Sequence, residues 1–329
     1  MSTLSSFPLA ESATGSQSRV MHATLLGTGS ALPSRVIENR YFVDELQLDT
    51  TPEWIVSKTG IEERRYAEPS QDVVGLAADA GLSALEASGL TPDQLDVIIV
   101  ATSSSPYAMP STACLVQEAL DATHALAFDV NNACAGFAYA LDAGVRYLQT
   151  GPKNALVIGA DLGSRLVDPQ DRGTVIFFGD GAGAAVLSAE GNGRVLASRL
   201  FSRGTSVPLH VPMGGTMTMD GRAIWQFVNE ILPTTIRQLC EDAGVSPSDI
   251  SLLVPHQANS KMIAAATESL GIPLERIALN LHRYGNTLAG SIPIALDEAV
   301  RAGRVQSGDL ILTIGFGAGL AWGGSLLQV

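Results

Sequence analysis

The sequence predicts a layered α/β protein built from two similar halves. Three observations carry that expectation. Short β-rich runs alternate with segments of helical periodicity along the chain. The β-rich runs are near-continuously apolar, as in strands covered on both faces. One pattern of turn, strand and glycine-rich segment also occurs twice in the same order.

The opening MSTLSSFPLAESATGSQSR lacks a basic start followed by an apolar core, so it is a poor secretory signal. It reads as a polar, disordered leader over residues 1–20, with the fold beginning near Met21. Strands are expected at LDVIIVATSSS (95–105), ALAFDV (125–130), ALVIGAD (155–161), GAAVLSA (183–189), ISLLVPH (250–256) and LILTIGFG (310–317). Helical periodicity covers 73–88, 135–150, 225–243 and 291–303. SGLTPDQLDVIIVAT (88–102) is echoed by AGVSPSDISLLVPHQ (243–257), and FGDGAGAAVLS (178–188) by GFGAGLAWGGSLL (315–327). The repeat divides the chain near 190–210, into halves 21–195 and 196–329. The predicted core is two sheets with helices between and outside them.

Among 329 residues, 46% are apolar and 33 glycines are dispersed, which suits an enzyme with many tight turns and excludes a fibrous or disordered chain. A net charge of −13 argues against nucleic acid or anionic membrane as main partner. No apolar run reaches the roughly 18 residues of a membrane span. Three cysteines, Cys114, Cys134 and Cys240, form neither a disulfide framework nor a close metal pair, which suggests a reducing, cytoplasmic setting.

The chemistry centres on NNACAGFAYAL (131–141). Cys134 follows an expected strand and opens a helical run, where unpaired amides and the helix dipole would stabilise a thiolate. Asn131 or Asn132 is placed to cap that helix, and Ala133, Ala135 and Gly136 would let a substrate approach the sulfur. Taken alone, the cysteine can equally be a buried packing residue. Cys240 lies within a helical run and Cys114 within an apolar one, and both read as core. His256 ends the strand in LLVPHQAN, where α/β folds deliver catalytic groups. Asn286 sits in the glycine-bearing loop RYGNTLAGSIP, as an active-site group or as a helix cap. His22, His124, His210 and His282 default to surface or packing roles. FGDGAG and GFGAG lack the strand–turn–helix context of a phosphate loop.

Together, CAGFAYAL, VPHQAN and RYGNTLAGSIPIAL, with GTGSALP, EWIVSKTGIEERR, DRGT, FGDGAGAAVL and FGAGLAWG, resemble the β-ketoacyl-(acyl carrier protein) synthase III family. These are priming ketosynthases of the thiolase superfamily, and the likeness is collinear over about 21–329. It implies a thiolase-like fold of five layers, α-β-α-β-α. It implies Cys134 as the nucleophile that takes an acyl group from a thioester, with His256 and Asn286 binding the donor's thioester oxygen. By position, the Cys134 and Ala318 amides are the candidate oxyanion donors. Trp54 and Arg172 match residues that sandwich the adenine of coenzyme A, and Asn259 a support residue near the centre. Lys261 matches a basic position for docking acyl carrier protein, and Met109 one that closes the partner's acyl pocket in a homodimer. The implied reaction is decarboxylative Claisen condensation with acyl-CoA and acyl-carrier thioesters as substrates, in fatty-acid or polyketide biosynthesis, and no metal or redox cofactor.

Several positions depart from the family pattern. Lys58 stands where arginine is common, and the stretch 202–228 between the halves is short. Arg222 and Trp225 replace a smaller polar residue and a phenylalanine, and Asn131 and Asn132 are unusually polar. An altered substrate mouth suggests an unusual acyl group or a carrier-bound chain, and the flexible Met109 a longer or bulkier acyl chain than acetyl. Together the departures point to polyketide initiation or to the joining of two carrier-bound chains. Docking of an acidic carrier would need a local basic patch from Lys261, Arg237 or Arg222. Acyl transfer to an alcohol or amine is a second reading. A non-catalytic partner subunit is disfavoured by the intact Cys–His–Asn set.

Overall fold

A computed structural model describes residues Val20–Val329; the expected leader, apart from its last residue, lies outside the described residues. Strands β1 (Met21–His22) and β2 (Thr24–Ala31) come first. A hairpin of β3 (Arg35–Glu38) and β4 (Glu63–Tyr66) follows, with α1 (Arg40–Asp44) and α2 (Pro52–Thr59) between its strands. Next come α3 (Val73–Ser88), β5 (Val97–Ala101), α4 (Thr112–Leu120), β6 (Leu126–Val130), α5 (Gly136–Leu148), β7 (Asn154–Leu162) and β8 (Asp180–Ser188). The rest of the chain begins with β9 (Arg194–Thr205), the hairpin β10 (Leu209–His210) and β11 (Thr218–Met219), and α6 (Gly221–Ala243). It ends with β12 (Leu252–Pro255), α7 (Ser260–Glu268), α8 (Leu281–Tyr284), α9 (Ser291–Arg301), β13 (Leu310–Gly317) and β14 (Gly319–Gln328).

Two five-stranded sheets form, in the orders β2-β8-β7-β5-β6 and β1-β9-β14-β13-β12. Between them lie α5 and α9; outside the first sheet lie α3 and α4, and outside the second α6 and α7. The side-chain clusters follow these layers. Val97, Ile99 and Ala101 of β5 face the central layer with Phe137 and Ile292, while Ile98 and Val100 face outward with Leu76 and Val116. That two-residue alternation buries β5 on both faces, which is why its sequence is apolar at every position.

The first echo reproduces a turn. Gly89 and Gly244 end α3 and α6 in the left-handed region, at φ 73° and 69°. A reciprocal capping box then links Thr91 with Gln94, and Ser246 with Asp249, and leads into β5 and β12. The second echo is the antiparallel return, β7 to β8 and β13 to β14. The halves differ at one edge. β6 pairs with β5 over five residues, whereas the corresponding neighbour of β12 is reduced to one bridge, Leu253 with Ile277.

Strands β2 and β9 were not among the expected elements. In β2 the apolar run is broken by Gly27 and Gly29, whose added Cβ atoms would lie 2.5 and 2.3 Å from the backbone of Ala84. Their bareness lets α3 press against the sheet. β9 carries charge because Arg199 pairs with Asp242 at 2.5 Å. Helix α6 also starts earlier than expected, at Gly221, since Asp220 accepts from the amides of Arg222 and Ala223. Across the halves, buried Asp297 on α9 accepts from Thr28 Oγ1 (2.9 Å) and Ser30 Oγ (2.6 Å) of β2.

Candidate active site

Cys134, His256, Asn286 and Ala318 all line one cavity of about 980 Å³ between the C-terminal ends of the central strands and the β10–β11 hairpin. Each arrives by a different route. Cys134 sits in a single 3-10 turn, Ala133–Ala135, that leads into α5. Ala133 holds φ 45°, the left-handed region that non-glycine residues rarely occupy, at a cost of order 1–3 kcal/mol. Leu288, two residues after Asn286, holds φ 47°. Strain therefore flanks the reactive residues from both halves.

The C-terminal end of β13 is pressed onto the cysteine. A Cβ on Gly317 would lie 2.9 Å from Cys134 Cβ and 3.0 Å from its amide nitrogen, so only glycine admits this approach. The amides of Cys134 and Ala318 thus belong to one packed junction.

The expected capping by asparagine does not occur. Asn132 precedes the 3-10 turn without a side-chain hydrogen bond, and α5 starts from Ala135, also uncapped. The unusual turn at Ala133 directs Asn131 elsewhere: its Oδ1 accepts from Ser103 Oγ at 3.2 Å, on the cavity wall. The resting thiolate expected from the helix start is also corrected. Burial pushes the Cys134 thiol up to about 12, the charge of Asp161 pushes the same way, and its own backbone N–H opposes them.

Asp161, which the sequence reading passed over, is fully buried at the end of β7. It accepts from Ser103 N (2.7 Å), Thr102 Oγ1 (3.2 Å), Ser104 Oγ (2.9 Å) and Ala289 N (3.1 Å). Burial raises its carboxyl to about 6 despite those donors. It ties the loop after β5 to the turn after Asn286. A carboxylate closing the apolar run ALVIGAD was its only sequence signal.

His256 follows β12, its backbone N–H donating to Ile314 O at 2.8 Å. The ring meets Phe316 edge-on at 5.1 Å, and Nδ1 lies 2.6 Å from Ser291 Oγ. Burial lowers the imidazole to about 3, so it is neutral at physiological pH. Asn286 is clamped by its backbone, which donates to Phe177 O (2.8 Å) and accepts from Gly179 N (3.0 Å). Its Oδ1 accepts from Leu288 N at 2.9 Å, so the side-chain amide has its Nδ2 donor left for a ligand. Two uncharged donors and a thiol therefore share one cavity. That set can polarise a carbonyl oxygen while a sulfur holds a second acyl group.

Asn259 also lines the cavity, caps α7 through Lys261 N and Met262 N, and donates to Lys58 O at 2.9 Å. Trp225 lines the mouth with the hairpin from Leu209 to Met219, which places the short inter-half stretch over the entrance. His210, read from sequence as surface or packing, stands on that rim, exposed. The remaining expected residues lie outside the lining. Trp54 and Arg172 stack on each other at 4.9 Å, so a flat base enters between them only if the guanidinium lifts. Lys261 is exposed with Nζ 2.5 Å from Ser57 O, at the end of α2. Arg222 is exposed on the first turn of α6, and Met109 is 83% exposed. Of the other cysteines, Cys240 is buried and Cys114 half-buried.

Family models match two stretches. Residues 128–204 match 3-oxoacyl-[acyl-carrier-protein (ACP)] synthase III, and residues 240–329 its C-terminal part. A curated relative named beta-ketoacyl-[acyl-carrier-protein] synthase III, from Desulfotalea psychrophila, is 42% identical over 325 residues, covering 94% of this chain and 100% of its own. The crystal structure of 3-oxoacyl-[acyl-carrier-protein] synthase III from Aquifex aeolicus VF5 is 43% identical and superposes with a TM-score of 0.90, covering 93% of this chain and 100% of its own. The priming beta-ketosynthase from the R1128 polyketide biosynthetic pathway is 32% identical with a TM-score of 0.88, covering 94% and 97%. The fold is thus that of the thiolase-like ketosynthases, a class of acyltransferase. The chain belongs to the 3-oxoacyl-[acyl-carrier-protein] synthase III family.

Proposed function

We propose that this protein loads an acyl group from a coenzyme A or carrier-protein thioester onto Cys134 and condenses it with a malonyl thioester on acyl carrier protein. The observation that carries this reading is that Cys134, His256 and Asn286 line one cavity, with His256 Nδ1 and Asn286 Oδ1 already engaged by Ser291 Oγ and Leu288 N. Attack by sulfur on the thioester carbonyl places negative charge on its oxygen, which the Cys134 and Ala318 amides receive. The thiol proton leaves with the departing thiolate, as free coenzyme A or as the free carrier thiol. Loss of carbon dioxide from the malonyl group then leaves an enolate whose oxygen accepts from His256 and Asn286. Its carbon attacks the acyl-Cys134 carbonyl, the new C–C bond forms, and Cys134 leaves as a thiolate that takes up one proton from solvent. A neutral imidazole suits this second role, because it donates without bringing a charge that the cavity would have to bury.

Trp54 and Arg172 form the proposed coenzyme A clamp, and Lys261 part of the carrier-docking surface. The working form is proposed to be a homodimer joined at the free edge of β6, which has β5 as its one neighbour in the sheet. Leu126 on that strand and Tyr107 and Met109 before α4 expose large apolar groups, and Met109 would then reach the partner's cavity.

Intact-mass measurement with a panel of acyl-coenzyme A and acyl-carrier thioesters tests the first step. Adducts are expected on the native chain and none on Cys134→Ala. Addition of malonyl-carrier protein should release a β-ketoacyl product. Asn286→Ala should keep its acyl adduct and lose about tenfold or more in decarboxylation, the worth of one charge-assisted hydrogen bond. Product formation only with an added alcohol or amine would refute condensation in favour of simple acyl transfer.

A further inference from the structure

We propose that Ser291 is a positioning residue that holds His256 as its Nε2–H tautomer, so that the ring's one N–H faces the substrate oxygen. The inference rests on the condensing role of His256 given above.

Ser291 is the first residue of α9, buried to 1%, and lies 35 residues beyond the histidine in sequence. Its Oγ has two hydrogen-bond partners among the described residues: His256 Nδ1 at 2.6 Å and the backbone amide of Gln257 at 3.4 Å. The amide can only donate. The hydroxyl hydrogen therefore has one acceptor within reach, the imidazole Nδ1.

The Gln257 amide does not swing away from this duty. Its side chain donates to Pro255 O (2.7 Å) and Ala278 O (2.9 Å) and accepts from Asn280 N (3.1 Å), all within the buried interior. With Nδ1 accepting, the ring proton sits on Nε2, the nitrogen left for the cavity that His256 lines.

The opposite tautomer fails at two points. A proton on Nδ1 would aim at Ser291 Oγ and leave the buried hydroxyl hydrogen without an acceptor, which is costly. It would also turn an Nε2 lone pair toward the thioester oxygen and repel the enolate as it forms. Phe316, edge-on at 5.1 Å, offers the ring no competing hydrogen bond.

The full-length protein labelled with 15N-histidine reads the tautomer directly, through the two-bond pattern linking ring nitrogens to ring protons. The His256 signals are those lost in His256→Ala. Wild type is expected to show protonated Nε2 and unprotonated Nδ1. Ser291→Ala is expected to lose that pure pattern and to lower kcat for malonyl decarboxylation about 10- to 100-fold, by analogy with partners that orient metal-binding imidazoles. KM and the extent of Cys134 acylation should hold, and Ser291→Thr should recover most of the rate. A protonated Nδ1 in wild type overturns the proposal. So does a folded Ser291→Ala that keeps the Nε2–H pattern and decarboxylates within twofold of wild type. If Ser291→Ala does not fold, the wild-type spectrum decides alone. Absence of decarboxylation in wild type would instead defeat the condensing role, while the spectrum still reports on Ser291.

Discussion

Gly317→Ala tests how tightly the end of β13 and the Cys134 turn depend on each other. The added methyl would sit 2.9 Å from Cys134 Cβ, 3.0 Å from its amide nitrogen and 3.3 Å from Cα. Non-bonded carbon atoms rest at about 3.5–4.0 Å, so the methyl falls about 0.6–1.1 Å short against Cβ. None of the three atoms is the end of a flexible chain. The strain must therefore move Cys134, the 317–318 backbone, or both. A displacement near 1 Å at a reacting group costs about 100-fold in rate, and forced overpacking about 1–3 kcal/mol in stability. Pre-steady-state acylation followed by intact mass should thus slow about 100-fold, alongside a lowered denaturant midpoint. Gly204→Ala is the control, because a Cβ there meets nothing within 4 Å. Acylation within threefold of wild type in a folded Gly317→Ala protein would refute the packed junction and, with it, the placing of the Ala318 amide as oxyanion donor.

Asp161→Asn removes the charge that helps raise the Cys134 thiol, so the pH midpoint for alkylation of Cys134 by iodoacetamide should fall below its starting value of about 12. An unchanged or higher midpoint would count against the coupling. In wild type, burial lifts Asp161 from its ordinary 3.8 to about 6, so folding favours the protonated form. Its contribution to stability is then fully present below 3.8 and lost as pH rises through about 6, and urea midpoints across that window should show a downward step that Asp161→Asn lacks. Asp297→Ala should cost about 2–3 kcal/mol by chemical denaturation, because it strips partners from Thr28, Ser30 and Arg301 at a contact between the halves. Arg301→Ala, whose side chain is mostly exposed, should cost well under half of that.

What could be read from sequence divides along a physical line. Local signals survived folding. The left-handed glycines and capping boxes of the first echo recur at Gly89 and Gly244, and the continuous apolar runs became strands buried on both faces. Cys134, His256 and Asn286 could be singled out from sequence as site candidates, and the structure brings all three to one cavity. What escaped was set by partners distant in sequence. Nothing near Asp161 says that four donors from 102–104 and 289 will converge on it, and nothing near Ser291 points to a histidine 35 residues earlier.

The cysteine itself shows why local reasoning overreached. A helix start does favour a thiolate, yet Cys134 is buried in the turn before α5, and the charge of Asp161 acts against a second negative charge there. Desolvation and that charge outweigh the amides, so the resting residue keeps its proton. The same enclosure keeps His256 neutral and therefore able to donate from Nε2 without pairing as an imidazolium with the thiolate. A site that resists ion-pair formation gives up speed in acylation. Under the proposed mechanism it in return holds both enolate donors, His256 and Asn286, uncharged before the malonyl group arrives, when carbon dioxide leaves and charge develops on one oxygen. The order of the two half-reactions is thus reflected in where the protons rest.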